Sequence, residues 1–271
     1  MSNELAIDVV KHKNPAMYMC CFGRNDLLDQ ARLLIESTSL FSETEFTYVI
    51  FTDLEPKLVA AKLSISDACV IVVETQAFGT ISRYYARYRV TQHDALRVYQ
   101  PIIYCDLDVI CNYSLKKVVD VVLSSDKIFA NLEEHGTAWT VGWFISDFPY
   151  RDRYLVREDV QALNSGIYAY SNHEIMRPVS RAVNAIETNV TSFHGDTYLA
   201  LDQGVLNYCL MKTVNYDGDT LRQMIVNRPV ECFSDIPRVG LIHFCGDNTT
   251  KHASKTHRMQ AYFEYCVSQI S

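Results

Sequence analysis

The chain has 271 residues, of which 48% are hydrophobic and 21% charged, enough apolar material for one large α/β domain around a single core. A formal net charge of −7 excludes the basic footprint of a nucleic-acid-binding protein, although a divalent cation and a few Lys or Arg side chains can still neutralise a bound polyanion locally. The nine cysteines form no C-x-x-C pair and sit mostly inside apolar runs, which excludes a zinc knuckle and points to free thiols in a reducing compartment.

Neither a basic-then-apolar leader nor an apolar run approaching the about 20 residues of a membrane span is present, so the chain reads as cytoplasmic with no transmembrane segment. Residues 16–21 are a short apolar run, predicted as a strand that ends in the turn Phe22-Gly23-Arg24-Asn25. Leu27, Leu28, Ala31, Leu34 and Ile35 recur at helical spacing and predict a helix over 26–37, capped by Asp26 or Asn25. Residues 46–52 are β-rich and stop at Asp53, and 68–73 read as another buried strand. A helix over about 81–99 carries Arg83, Arg87 and Arg89, and the strand 102–105 then ends abruptly in Asp106-Leu107-Asp108.

The second half predicts a short strand at 166–170 and a helix opened by the capping box Ser171-x-x-Glu174, with Pro178 positioned to kink or shorten it. A helix over about 196–212 follows, and an amphipathic one built on Met259, Tyr262, Phe263, Cys266, Val267 and Ile270 closes the chain. The strand-helix rhythm implies a single Rossmann-like α/β domain with a mostly parallel central sheet flanked by helices. No linker, repeat or low-complexity segment divides residues 1–271, and the halves 1–110 and 111–271 read as nucleotide-binding and acceptor-side respectively. Ligands of such folds bind outside the carboxyl ends of the strands, where Asp53, Asp106, Asp108 and the turn after residue 21 all lie.

Asp106 and Asp108 are the first candidates for chemistry. Carboxylates two apart on extended backbone face the same way, and two hard oxygens suit Mg²⁺ or Mn²⁺ with positions left for a diphosphate. Acid between the apolar runs Ile-Ile-Tyr-Cys and Val-Ile-Cys is costly without a task, whereas the second D-x-D, Asp217-Gly218-Asp219, has turn composition. His243 reads either as a hydrogen-bonded core residue or as a third ligand, whose imidazole would favour Mn²⁺. Gly246 would admit backbone close to a phosphate, and Lys251 or Lys255 could add positive charge. Asn164-Ser165-Gly166 and Asp202-Gln203 carry amides and an acid suited to sugar hydroxyls, and Arg87 is the arginine best placed for a diphosphate.

The order of these motifs resembles glycosyltransferase family 8: Tyr85-Ala86-Arg87, then Tyr-Cys-Asp106-Leu-Asp108, then Leu-Asn164-Ser-Gly166, then Asp202-Gln203-Gly-Val-Leu-Asn207, then Ile-His243-Phe-Cys-Gly246. The resemblance runs over about residues 15–255 and implies a GT-A fold with Mn²⁺ (Mg²⁺ as the alternative) held by Asp106, Asp108 and His243. It further implies a UDP-glucose or UDP-galactose donor, hexose transfer to a hydroxyl acceptor (a saccharide, a lipid-linked glycan or a protein), and retention at the anomeric carbon. By the same likeness the segment Cys20, Phe22, Asn25 holds the uridine. Arg87, Asp106, Asn131 and Asn164 contact the donor, Gln203 lies beneath the anomeric carbon, and Asp202 binds the sugar beside it. The family ends its last motif as H-F-x-G-x-x-K-P-W, but here Gly246 is followed by Asp-Asn-Thr-Thr-Lys251-His, without the Pro-Trp, so the diphosphate lysine is Lys251 or, failing that, Lys255.

Two other readings compete. A sugar nucleotidyltransferase shares this kind of sheet and its acidic metal ligands, but its first turn is rich in glycine, and Cys21-Phe22-Gly23-Arg24-Asn25 is not. A non-catalytic binding protein that kept the fold is the alternative from another class.

Overall fold

A computed structural model describes residues 14–64, 69–73, 80–89, 91, 93–137, 161–193, 201–213, 215–246 and 254–270. Four parallel strands form the first half of the central sheet: β1 (Ala16–Cys21), β2 (Thr47–Thr52), β3 (Cys69–Val73) and β4 (Ile102–Cys105). The second half adds β6 (Ile128–Thr137), β7 (Gln161–Tyr170) and β8 (Tyr216–Asp217) in the order β3-β2-β1-β4-β7-β6-β8, with β7 antiparallel to both neighbours. The sheet is therefore mostly parallel, as expected. A smaller three-stranded sheet, β5 (Val109–Cys111), β10 (Leu241–His243) and β9 (Ile225–Asn227), stands beside it.

The strand sequences explain why both faces of the sheet are covered. Along β1, Met17, Met19 and Cys21 join one apolar cluster, while Ala16 and Tyr18 join the other. A strand buried on both faces reads as a continuous apolar run, and β1 does. On the first face pack α1 (Leu27–Phe41), α2 (Pro56–Leu63) and the C-terminal α7 (Lys255–Ser268). On the second face pack α3 (Thr80–Arg89), α5 (His173–Phe193) and α6 (Leu201–Thr213), and α4 (Lys116–Leu123) follows β5.

Several elements depart from their sequence expectation. Helix α1 runs on to Phe41 because Ser37 and Thr38 are buried, with the Ser37 hydroxyl donating to the Leu34 carbonyl and accepting from Cys111 N–H. Residues read as one long helix split into α3 and a 3-10 turn at Asp94–Leu96, where His93 Nδ1 accepts from Ala95 N–H. The short helix α2, with Pro56 in its first turn, had no sequence expectation. β7 begins five residues before the expected strand. α5 is capped by Asn172, whose Oδ1 accepts from Glu174 N–H, rather than by Ser171, and it runs through Pro178 to Phe193 without being shortened. All nine cysteines are free thiols, and burial pushes that of Cys21 up to about 12.

Chain order reverses between β1 and β4: β2 and β3 lie on one side of β1, and β4 lies on the other. Such a switch point opens a crevice at the carboxyl ends of the strands. The turn after β1 and the acidic turn after β4 both end there.

Candidate metal and donor site

Asp106, Leu107 and Asp108 form the turn between β4 and β5, so the chain leaves the large sheet and enters the small one within three residues. The small sheet delivers His243. β5 and β10 pair antiparallel with Val109 opposite His243, and Phe244 N–H donates to the Asp108 carbonyl at 2.8 Å. His243 Nε2 consequently stands 3.2 Å from Asp108 Oδ1 and 3.8 Å from Asp106 Oδ2, and the three ligand atoms lie within 4.8 Å of one another. Neighbouring ligands around one ion at about 2.1 Å are about 3 Å apart, so these separations need only a small contraction to close on a divalent cation.

The surroundings aim this triad. Asn227, opposite His243 on the parallel strand β9, places its Oδ1 3.1 Å from His243 Nδ1, which leaves Nε2 toward the carboxylates. Asp106 N–H donates to the Gly166 carbonyl at 2.7 Å, and a Cβ on Gly166 would stand 2.7 Å from His243 Nε2 and 2.9 Å from Asp106 Oδ2. Glycine is required there by close approach. Two oxygens, one oriented imidazole and a cradle with no room for a side chain fit a Mn²⁺- or Mg²⁺-sized ion.

The electrostatics divide the two acids. Burial raises Asp106 above its ordinary value even though Arg87 opposes it. Burial also works against charge on Asp108, but His243 and Lys255 outweigh it and hold that carboxyl well below its ordinary value. Burial disfavours charge on His243 too, yet the Asp108 carboxylate beside it raises its pKa well above the usual imidazole range. Lys255, the first residue of α7, has its Nζ 2.7 Å from Asp108 Oδ2, so the second-choice lysine reaches the acidic turn. Lys251 lies outside the described residues.

A cavity of about 330 Å³ opens beside the triad, lined from β1 and its turn by Cys20, Phe22 and Arg24, from α1 by Leu27 and Gln30, from α3 by Tyr84 and Arg87, and by Tyr104, Asp106, Leu107 and Asp108. That volume lies in the range of small-molecule sites. Cys20 and Phe22 thus line the cavity; Asn25 does not, and its backbone carbonyl instead accepts from Leu28 N–H at the start of α1. Gln30 and Tyr84 line it without having been singled out by sequence.

Arg87 ties the halves of the site together. Its guanidinium pairs with Asp106 at 3.0 Å and Asp202 at 3.5 Å, donates to the Ser165 carbonyl, and lies over the Tyr104 ring, while Tyr104 donates its hydroxyl to Asp106. Tyr88, one residue on, donates to Asp202 at 2.8 Å. Gln203 is held at both ends: its Oε1 accepts from Ser165 N–H at 3.2 Å and its Nε2 donates to Glu133 at 3.3 Å. Glu133 also accepts from Asn164 Nδ2 at 2.8 Å, and Asn164 Oδ1 accepts from Gly166 N–H.

Glu133 is the acid that sequence reasoning missed. Asn131 is buried opposite Asn164 on β7, and its Oδ1 has no hydrogen-bond partner among the described residues, whereas Glu133 makes the contacts to Asn164 and Gln203. Residues two apart on a strand share a face, so the polar pair Asn131 and Glu133 in an apolar run was the available signal. Gly246 has φ +70 and lies next to Arg228 rather than along the cavity wall.

A scan of protein-family models finds no match to the chain, and a search of curated proteins finds none either. Solved structures do match. The galactosyltransferase LgtC in complex with donor and acceptor sugar analogs superposes with a TM-score of 0.63 at 13% identity, over 92% of this chain and 95% of that one. An active-site mutant of LgtC gives 0.64 at 12% identity over the same shares. The bifunctional glycosyltransferase WbbM, in its apo form, gives 0.61 at 13% identity over all of this chain, which spans about half (53%) of WbbM. The fold is therefore that of GT-A glycosyltransferases. Among the described residues no helix is long and apolar enough to cross a membrane.

Proposed function

We propose that this chain is a metal-dependent glycosyltransferase that moves a hexose, glucose or galactose, from a UDP-sugar to a hydroxyl acceptor with retention of anomeric configuration. The single observation that carries the reading is the convergence of Asp106, Asp108 and His243, with both acids lining the cavity beside the β1 turn. The GT-A fold supports a transferase, and the complex of LgtC with donor and acceptor sugar analogs supports a sugar-nucleotide donor and a saccharide acceptor here.

In this reading Asp106, Asp108 and His243 would hold Mn²⁺, with Mg²⁺ as the alternative. Such an ion, when bound, supplies Lewis-acid stabilisation of the charge that develops on a departing diphosphate. Cys20, Phe22 and Tyr84 offer apolar and aromatic surface for the nucleoside base, and Asn25, in the same turn, joins it to α1 through its carbonyl. Arg87 fixes Asp106 for the metal and Asp202 for the sugar through one guanidinium. Asn164, Glu133 and Gln203 present one linked face to the hexose hydroxyls, with Asn131 beneath it. Gly246 and Lys251 are assigned to the diphosphate side, with Lys255 beside Asp108.

Gln203 bears on stereochemistry. Retention by double displacement needs a nucleophile opposite the leaving group. The Gln203 amide oxygen already accepts from Ser165 N–H, which lowers its electron density for attack, so front-face return is the favoured course. The departing phosphate would then accept the proton of the acceptor hydroxyl while the new glycosidic bond forms on the same face.

The test is release of nucleoside diphosphate from a panel of sugar nucleotides with Mn²⁺. Turnover of UDP-glucose or UDP-galactose that EDTA and Asp108→Asn both abolish supports the reading. Turnover indifferent to EDTA, or release of nucleoside monophosphate and pyrophosphate, overturns it.

A further inference from the structure

Arg228 is a cation that the roles above leave unused. It follows β9, its N–H donates to the His243 carbonyl at 2.9 Å, and its φ of +52 lies in the left-handed region that a residue with a side chain rarely adopts. Strain of this kind persists where the surroundings fix it, and here they do: Arg258 of α7 donates to the carbonyls of Pro229 and Val230 at 2.7 and 2.9 Å. The side chain lies between Gly246 and Glu133. Its Nε lies 3.6 Å from where a Cβ on Gly246 would stand, and its Nη2 is 3.9 Å from Glu133 Oε2.

Charge pairing singles this residue out. Arg87 is engaged by Asp106 at 3.0 Å, Lys255 by Asp108 at 2.7 Å, and Arg24 by Asp26. Arg228, with its side chain 54% exposed, has among the described residues only the long contact to Glu133, beyond hydrogen-bonding distance. It therefore stands between the linked sugar-side cluster and the glycine assigned to the phosphate, with its donors uncommitted to any strong acceptor. A guanidinium offers a planar fork that matches two phosphate oxygens at once.

We infer that Arg228 binds the terminal phosphate of the donor's diphosphate, the one that carries the hexose. This assignment rests on the nucleotide-sugar reading given above and adds to it the residue that distinguishes a nucleoside diphosphate from a monophosphate.

Calorimetric titration of UDP and of UMP, each with saturating Mn²⁺, into wild-type protein, Arg228→Gln and Arg228→Lys tests it. Arg228→Gln is expected to weaken UDP about tenfold or more while UMP changes less than about twofold, with Arg228→Lys between. Arg228→Gly, which removes guanidinium and backbone strain together, should weaken UDP equally while the melting temperature holds or rises. Unchanged UDP affinity in Arg228→Gln, or equal weakening of UDP and UMP, overturns the assignment and leaves the donor reading intact. Wild-type protein that binds neither nucleotide overturns both.

Discussion

Gly166 lies against the ring of His243: a Cβ built there would stand 2.7 Å from Nε2 and 2.9 Å from Asp106 Oδ2. The obstructing atoms belong to two of the three candidate metal ligands, and both ligands are held, His243 by Asn227 and Asp106 by Arg87 and the Gly166 carbonyl. Gly166→Ala should push the imidazole and the carboxylate apart. We expect Mn²⁺ affinity to fall at least about tenfold, with about 1–3 kcal/mol lost in stability from overpacking. Calorimetry with Mn²⁺ and a thermal melt measure the two effects, and undiminished Mn²⁺ binding would remove Gly166 from the metal site.

Asn227 sets the direction of His243 without standing among the candidate ligands. Its Oδ1 beside Nδ1 fixes which ring nitrogen faces the carboxylates. Replacing such a partner costs about 10–100-fold in metal affinity. Asn227→Ala should show that loss in a Mn²⁺ titration, and Asn227→Asp, which keeps the acceptor, should recover most of it. Equal loss in both variants would mean that the residue is merely structural.

The acids and the histidine were legible in sequence because each interrupts or ends a buried apolar strand, where an unpaired polar group is costly. The β-rich first half was legible for the same reason: runs such as Thr47–Thr52 have no amphipathic alternative. Glu133 was obscured because β6 shifts register between Ala130 and Asn131, so simple alternation did not say which polar side chain would face Asn164. Arg228 was obscured because its placement depends on a left-handed backbone that no neighbouring glycine announces. Serines and threonines misled at both ends of helices. The predicted helix ended at Ser37, but the Ser37 hydroxyl is paired to β5 and the helix continues, and Ser171 looked like a cap that Asn172 provides.

Asp217, in the second D-x-D, has a purely conformational task. Ending β8, its carboxylate accepts from the N–H groups of Asp219 and Thr220 and from the Thr220 hydroxyl, and Lys127 lies 3.8 Å away. Burial alone would raise its pKa, but these donors, Thr220 first, hold it below the usual value. A depressed folded-state value means stability that is present above the unfolded pKa of about 3.9 and is lost as pH falls through the folded one. Asp217→Ala should cost about 1 kcal/mol at pH 7, as loss of a cap does. The gap between variant and wild type should narrow as the pH is taken below about 4. Denaturant melts at pH 7 and pH 3 give the comparison, and a gap that widens in acid would contradict the capping role.

Lys255 would compete with a bound divalent cation for one carboxylate. The ammonium sits 2.7 Å from Asp108 Oδ2 while His243 takes Oδ1, so Asp108 has a positive partner on each oxygen. A metal ion drawing on Asp108 must share or displace that ammonium, and the repulsion between the two cations is felt strongly where the side chains are mostly buried. Lys255→Met keeps the length and apolar stem of the side chain and removes the charge. It should therefore tighten Mn²⁺ binding several-fold in the absence of nucleotide, and high salt should reduce the difference only slightly because both side chains are mostly buried. Once a diphosphate brings its own negative charge, the same lysine becomes favourable. The variant should then bind UDP more weakly than wild type at saturating Mn²⁺, so that one substitution shifts the two affinities in opposite directions. Movement of both the same way would show that Lys255 acts through the packing of α7 rather than through its charge.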